Sequence, residues 1–591
     1  MSAGRANLRV LADSHGLDPA SLVAGRDVVL AMNPAHGLDL PAGVAVHDHL
    51  DIDARWAIYR AAAGAIADVR ELLDEPLTVD GVCLPWIWEA EILVALTILF
   101  AEAEGLLRCV RNHDPASLRL TSTLPRHRRV ASVVAAAAGI ELREQPAGVA
   151  PAGSRAGPRR PSAGGARHEL VRWARAAGLP SHLRPGCDLL VSYWPLMALL
   201  DRMLADRRRR PAVALQRPPT GPGRSLRAAQ RGGWLGAPGP ADRRRARAVA
   251  EPALQQASTA RRAPIAPFGV DLCEPVLEEV LGIARRRAAF DLATAAMLRR
   301  VLRRSAPASV IVPFDTQPDG RLLVSLAREA GVRTLGLPHG AYLLPQLLGD
   351  LELCDEVLLW SEQVAPRMSG GERPVHVVGY PLPHAPPPPT RAHGGGAPAT
   401  VLVLGQPSPT SFALCDPRTT MRHYAVALGA LRQLAPAPRI VLRPHPAEGS
   451  DAALAAAASF AGSEIAIDAS TPIQDLYRAC SLCLGTATTA TLQAVLNGTP
   501  VVALNLTGFE WSWPLGGDTT VPVARSAGEL SACLDRWASG RPLPGREALL
   551  TALGLSEAGG DGTSRILAIL DEGATACGRS SASSRTPASR S

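Results

Sequence analysis

The sequence predicts an α/β protein of parallel sheets wound with helices, divided into two sheet domains that face a cleft. Three observations lead there. Short aliphatic runs alternate with longer Ala/Leu/Arg runs of helical period, the pattern of successive βαβ units. At 591 residues the chain exceeds what one core organises, so two or three domains are expected. A stretch with four consecutive prolines and three consecutive glycines, 385–398, separates two such βα-rich regions.

The strands are expected at 27–30, 118–121, 188–192, 309–312, 333–337, 356–360 and 376–378 before that stretch. After it they are expected at 400–404, 439–443, 482–484 and 500–505. Residues 1–150 read as an N-terminal α/β region, and 151–260 as Arg/Pro/Gly-rich insertions with a few strands. Residues 261–384 complete the first domain, 385–398 form the linker, and 399–570 make the second domain. The Ser/Arg-rich remainder, 571–591, is expected to be disordered.

Composition excludes several classes. Hydrophobic residues are 47% and charged residues 20%, as in a soluble enzyme. All 62 basic residues are Arg, since the chain has no Lys, and the net charge is +8. With abundant Ala, Gly and Pro, this reflects coding bias more than a cationic binding surface. No nucleic-acid motif with interleaved aromatics accompanies it, and six Tyr and seven Phe are sparse. A modest basic excess does suit peripheral contact with anionic phospholipid. The apolar run Ile92–Ala101 is about half the roughly 20 residues a span needs, and Glu89, Glu91, Glu102 and Glu104 flank it, so a core helix is expected. The N-terminus carries no signal-peptide pattern. The ten Cys are scattered; Cys480 and Cys483 run into an apolar strand and read as buried thiols of a reducing cytosol.

Chemistry in parallel sheets gathers where strands end, and three motifs of the second domain lie there. Gln406-Pro407 follows the strand 400–404. Arg443-Pro444-His445-Pro446 follows the strand 439–443; its prolines hold the imidazole outside helical backbone, and the Arg fork suits phosphate. Taken alone, that motif is equally a His-Pro turn with a surface Arg. Gly485-Thr486-Ala487-Thr488-Thr489-Ala490-Thr491 then opens a helix that ends at Asn497-Gly498. A helix start rich in hydroxyls offers N–H groups and the positive end of the dipole to an anion. A Thr N-cap without ligand is the plainer reading, but four Thr and a Gly in seven residues exceed what capping needs.

In this order, and closed by Asn497-Gly-Thr-Pro-Val-Val502, the motifs resemble bacterial surface-carbohydrate glycosyltransferases of the GT-B type. The nearest families are capsule transferases of the Kdo type, with CDP-glycerol glycerophosphotransferases and polysialyltransferases further off. Asp561–Ile566 resembles their final helix, which crosses back to the first domain. Leu337-Pro-His339-Gly340 is similar to the His-Gly signature of their acceptor domain, and Val377-Val-Gly-Tyr-Pro381 to their run-out into the linker.

The resemblance covers about 310–570 and implies two Rossmann-like domains. It assigns Gln406, Arg443, His445, Thr486, Thr488 and Thr489 to the nucleotide and phosphate of a CMP-, CDP- or UDP-linked donor. It gives His339 the role of acceptor base, with Asp315 as alternative; a structural His at a Gly turn and a solvated loop Asp are the competing readings. Many such proteins carry Glu before Ala in the last helix, at the ribose; here it is Gln493-Ala494, which can hydrogen-bond a hydroxyl without the charge.

The implied activity is metal-independent and cofactor-free: transfer of a sugar or glycerol phosphate to a capsular, surface or lipid-linked glycan. The expected location is cytoplasmic, at the inner face of the plasma membrane. Two other readings remain: a nucleotide-sugar 2-epimerase, and a non-catalytic scaffold subunit. A third, a metal hydrolase, rests on His47-Asp48-His49-Leu-Asp51-Ile-Asp53, where His-x-His follows an apolar run. No later ligands complete that set, so an exposed turn is expected there. Trp86-x-Trp88-x-x-Glu91 is expected to be core packing.

Overall fold

The structure is a computed structural model. It describes residues 7–11, 27–31, 45–48, 52–121, 125–145, 181–191, 194–214, 222–260, 262–338, 351–362, 373–381, 399–405, 417–445, 457, 460, 464–486, 488–506, 521–553 and 562–583. Runs such as Val401-Leu-Val-Leu404 and Val501-Val-Ala-Leu504 are apolar at every position, which suits strands covered on both faces.

Those two runs lie in a six-stranded, all-parallel C-terminal sheet. Its order is Ile465–Ile467, Arg439–Arg443, Thr400–Leu404, Leu482–Gly485, Val501–Leu504 and Val523–Ala524. The chain therefore starts in the middle, winds outward one way, and returns to wind the other. Its reversal lies between Thr400–Leu404 and Leu482–Gly485, which are directly paired.

An eight-stranded sheet precedes it, in the order Val375–Val377, Glu356–Leu359, Arg333–Gly336, Ser309–Val312, Asp188–Val191, Pro211–Ala214, Gly233–Leu235 and His182–Leu183. Only the last pairing is antiparallel. The α/β class and parallel-sheet domains are thus as expected, with two differences. Residues 181–235 supply four strands of this sheet, so the Arg/Pro-rich region is part of its frame and not an insertion. Asp188–Val191 falls on the expected strand 188–192 and Pro211–Ala214 is apolar throughout, whereas His182–Leu183 and Gly233–Leu235 are two and three residues long, too short to show a period.

The second difference is a third sheet. Ala45–Asp48, Asp27–Ala31, Asn7–Leu11, Ser117–Thr121 and Glu141–Gln145 pair in parallel as a separate N-terminal unit, again reversing beside its first strand. Asn7–Leu11 and Glu141–Gln145 mix polar with apolar residues, so they carry no apolar run to announce them. The helices Glu89–His113 and Cys273–Ser305 pack against each other between this unit and the eight-stranded sheet.

One continuous hydrophobic core runs through both sheets and up to Leu549, Ile566 and Leu570 of the C-terminal part. A second core lies on the other face of the C-terminal sheet, around Val401, Val403, Leu428, Leu442 and Trp537. Ile92–Ala101 is core helix, with Ile92, Leu96, Leu99 and Phe100 fully buried. No helix among the described residues is long and apolar enough to cross a membrane. Trp88 is buried as expected, and its indole Nε1 also donates to Asp291 at 2.7 Å. The eight described cysteines are free thiols, and burial pushes Cys480 up to about 12 and raises Cys483 as well.

The final helix, Gly562–Ser583, continues into the stretch expected to be a disordered tail. It crosses back onto the eight-stranded sheet. Arg209 donates to the Leu567 carbonyl at 2.8 Å and pairs with Asp571 at 2.7 Å, while Arg333 reaches the Ile569 carbonyl at 3.1 Å. The linker 385–398 lies outside the described residues.

Candidate functional site

At a reversal of strand order, two neighbouring strands send their chains away in opposite directions, and the crevice left at their carboxyl ends is where such sheets bind ligands. In the C-terminal sheet three chain segments meet at that edge. Gly405 ends the first strand, and its amide donates to the Arg443 carbonyl at 2.8 Å, which locks the ends of the first and second strands together. Gly485 ends the fourth strand, level with Leu404 across the pairing.

The turn after Gly485 is built from its own hydroxyls. Thr488 is the N-cap of the helix Thr489–Leu496, its Oγ1 accepting from the Thr491 amide at 3.3 Å. The Thr491 hydroxyl donates back to the Thr486 carbonyl at 2.5 Å, and the Thr488 amide to the same carbonyl at 2.7 Å. A Cβ on Gly485 would lie 2.3 Å from the Thr491 oxygen, so only glycine lets the helix start this close to the strand. Two of the four Thr, 488 and 491, are therefore spent on the turn, and Thr486 is buried. Thr489 is half-buried at the helix start. The amino end of the helix, with its positive dipole end, sits at the crevice.

His445 lies two residues beyond the second strand, half-buried, and burial pushes its imidazole below the ordinary value, so it is neutral near pH 7. Arg443 reaches the end of the third strand. Its Nη1 donates to the Asp468 carbonyl at 2.9 Å and lies 3.7 Å from the carboxylate. Hydrogen bonds from Thr471 and Ser470 hold Asp468 down to about 2, so it stays ionised beside the guanidinium. One arm of the guanidinium thus forms a strut between strand ends.

Gln493, one turn into the helix, faces Tyr380 of the segment that leaves the eight-stranded sheet. Tyr380 also lies close enough to Tyr477 to raise its phenol. The carboxyl ends of the two sheets therefore face each other across this contact.

Asp315 is a correction. It is 1% exposed, and its two oxygens accept the Leu351 and Leu353 amides, each at 2.6 Å. A carboxylate committed to two backbone donors is an anchor for the segment that leads into Glu356–Leu359, not a base open to a substrate hydroxyl. His339 and Gln406 lie outside the described residues, as does His49. His47 and Asp48 end an edge strand, and among the described residues no group of three metal-ligating side chains is present.

Sequence reading missed three residues here. His423 is fully buried and its Nε2 donates to the Leu404 carbonyl at 3.1 Å, directly beneath the crevice; burial pushes it down to about 4. Its only signal was a His on the apolar side of a helix. Asp468 is marked by its Asp-x-Ser-Thr turn after a short strand. Tyr380 carried no signal beyond its place in the Val-Val-Gly-Tyr-Pro run.

No protein-family model matches the chain, and no curated protein matches it. Solved structures overlap it in part. A chain of the GtfA/B complex is 12% identical over 47% of this chain, with a TM-score of 0.34; this chain spans 60% of its length. The glycosyltransferase SnogD from Streptomyces nogalater is 16% identical over 66% of this chain and 100% of its own, with a TM-score of 0.37. A putative UDP-N-acetylglucosamine 2-epimerase from Listeria monocytogenes is 14% identical over 65% of this chain and 95% of its own, with a TM-score of 0.38. The functional reading rests on the geometry of the site.

Proposed function

We propose that the chain is a nucleotide-sugar-dependent glycosyltransferase of the GT-B type, with 399–570 as its donor domain. The observation that carries this reading is the convergence at one strand-order reversal: Gly405, His445 and the Thr486–Thr491 helix start share a single carboxyl edge. A nucleoside diphosphate, or a nucleoside monophosphate leaving group, fits that edge. The helix end stabilises the negative charge that grows on the departing phosphate. Neutral His445 hydrogen-bonds phosphate without having to lose a proton first.

Arg443, tethered by Asp468, adds positive potential from the side and stiffens the His-Pro turn. Gln406 keeps, in this reading, the role at the nucleotide base that the resemblance gives it. His339 remains the acceptor base in this reading, and Asp315 is withdrawn from that role. The donor is CMP-, CDP- or UDP-linked, and the acceptor is a surface or lipid-linked glycan reached by contact with an anionic membrane. The bond to the leaving phosphate breaks as the acceptor oxygen attacks, without a metal.

The test is a thermal-shift titration with CMP, CDP, UDP, GDP and their sugar or glycerol conjugates, with His445→Ala alongside. A ligand specific to the folded state stabilises it by about 2.7 kcal/mol at a hundredfold excess over Kd. Selective stabilisation by one nucleotide, lost in the variant, is expected. No shift with any nucleotide would hand the chain to the scaffold reading. Conversion of a donor sugar in the absence of acceptor would hand it to the epimerase reading.

A further inference from the structure

The guanidiniums that join the parts of the frame are paired. Arg126, Arg209, Arg287 and Arg321 each meet a carboxylate of another element. The helix Pro240–Ser258 differs. Its buried positions Ala246, Ala250 and Ala257 pack inward, and Arg243, Arg244, Arg245 and Arg247 fan out around that stripe. All four are exposed, and none pairs with a carboxylate among the described residues.

The neighbouring helix adds to this charge. Arg300 of Cys273–Ser305 grips Asp242 with both terminal nitrogens, at 3.3 and 2.8 Å, which brings the end of that helix beside the arginine run. Arg303 and Arg304, one turn further, are exposed as well. Arg299 is held by Glu329 at 3.3 Å and by the Asp80 carbonyl at 2.7 Å. Asp242 and Glu329 are therefore already taken. Glu251, one turn beyond Arg247, is exposed and forms no ion pair among the described residues.

Coding bias explains why these residues are Arg and not Lys, but not why six of them gather without acidic partners. Such a cluster repels itself, and an anionic surface relieves that repulsion. We propose that this end of the helix pair is the face by which the protein docks on anionic phospholipid. The inference rests on the membrane contact in the function proposed above and gives that contact a place. Pro240–Ser258 carries no aromatic side chain to stack on a base, which favours headgroup phosphates over single-stranded nucleic acid. Its other exposed residues are small or polar, so the contact is electrostatic, without insertion into the bilayer.

The experiment is sedimentation with vesicles of phosphatidylcholine alone and of phosphatidylcholine mixed with phosphatidylglycerol. Wild type is expected to bind only the mixed vesicles, and to leave them as salt rises from about 0.1 to about 0.5 M. Each arginine near such a surface is worth about fivefold in partitioning. Arg243→Gln, Arg244→Gln, Arg245→Gln and Arg247→Gln together should weaken binding at least about a hundredfold. The Tm and any nucleotide-induced shift of this variant should match wild type. A variant that binds the mixed vesicles as wild type does would overturn the inference and leave membrane contact to another face. A wild type that ignores the mixed vesicles, or prefers an RNA oligonucleotide to them, would overturn the inference and the membrane contact together. The nucleotide titration above decides the donor site separately.

Discussion

His423 shows how a residue can serve a site without touching a ligand. Its Nε2 must carry the proton to donate to the Leu404 carbonyl, which leaves Nδ1 bare and without a partner in a fully buried position. Burial holds the folded imidazole at about 4 against an ordinary value of 6.5. Protons therefore bind the unfolded chain more readily between those values. The stability due to this group is present above about pH 6.5 and is lost as pH falls toward about 4, on the order of 3 kcal/mol in all. Urea titrations of wild type and His423→Phe across that window should show the variant losing less stability on acidification. Parallel losses would mean other groups carry the acid sensitivity. A lone His among apolar residues gave no hint of this, because sequence does not say which carbonyl a buried imidazole will meet. Asp315 makes the same point in reverse: a carboxylate at a strand end reads as a base until its two backbone donors are seen.

At the scale of elements, the Gly485–Thr491 turn was legible as a strand-to-helix junction, and the reason it was legible is local. Small residues and hydroxyls satisfy a helix start wherever it occurs. What the structure adds is the division of labour among the Thr. Two cap and brace the turn, so the excess of hydroxyls available to an anion is smaller than the count suggests. The close approach at Gly485 also becomes testable. Gly485→Ala places a methyl 2.3 Å from a Thr491 oxygen already anchored to the Thr486 carbonyl, so it cannot simply turn aside. The expected cost is about 1–3 kcal/mol in chemical denaturation, as for other overpacked sites. Adding Thr491→Ala should recover part of it. No recovery would place the strain elsewhere in the turn.

For the molecule as a whole, the arrangement is three parallel sheets joined by charged welds and one crossing helix. Arg287 pairs with Glu91 at 2.9 Å, Arg321 with Glu89 at 3.1 Å, and Arg126 with Glu279 at 3.7 Å, all between helices of the N-terminal part and those packed on the eight-stranded sheet. The final helix performs the same service for the C-terminal part. Arg209, with a side chain 8% exposed, is its main polar anchor. Arg209→Met should cost about 1–3 kcal/mol, chiefly through the Leu567 carbonyl left unsatisfied. It should also separate the unfolding of the C-terminal part from that of the rest. A single unshifted transition would show that apolar contacts at Ile566 and Leu570 suffice to dock the helix.

The sequence alone determined the α/β class, strands with long aliphatic runs such as Thr400–Leu404 and Val501–Leu504, and the motifs at the carboxyl ends of the C-terminal sheet. These follow from local rules: burial on both faces demands continuous aliphatic runs, and strand-to-helix turns demand small or capping residues. Only the tertiary structure decided that there are three sheets, that the Arg-rich region is framework, that Arg443 reaches Asp468, and that Tyr380 meets Gln493. Each of those depends on which distant segment lies alongside. Main-chain pairing in parallel sheets joins residues far apart in the chain and leaves little trace in the side chains of short strands.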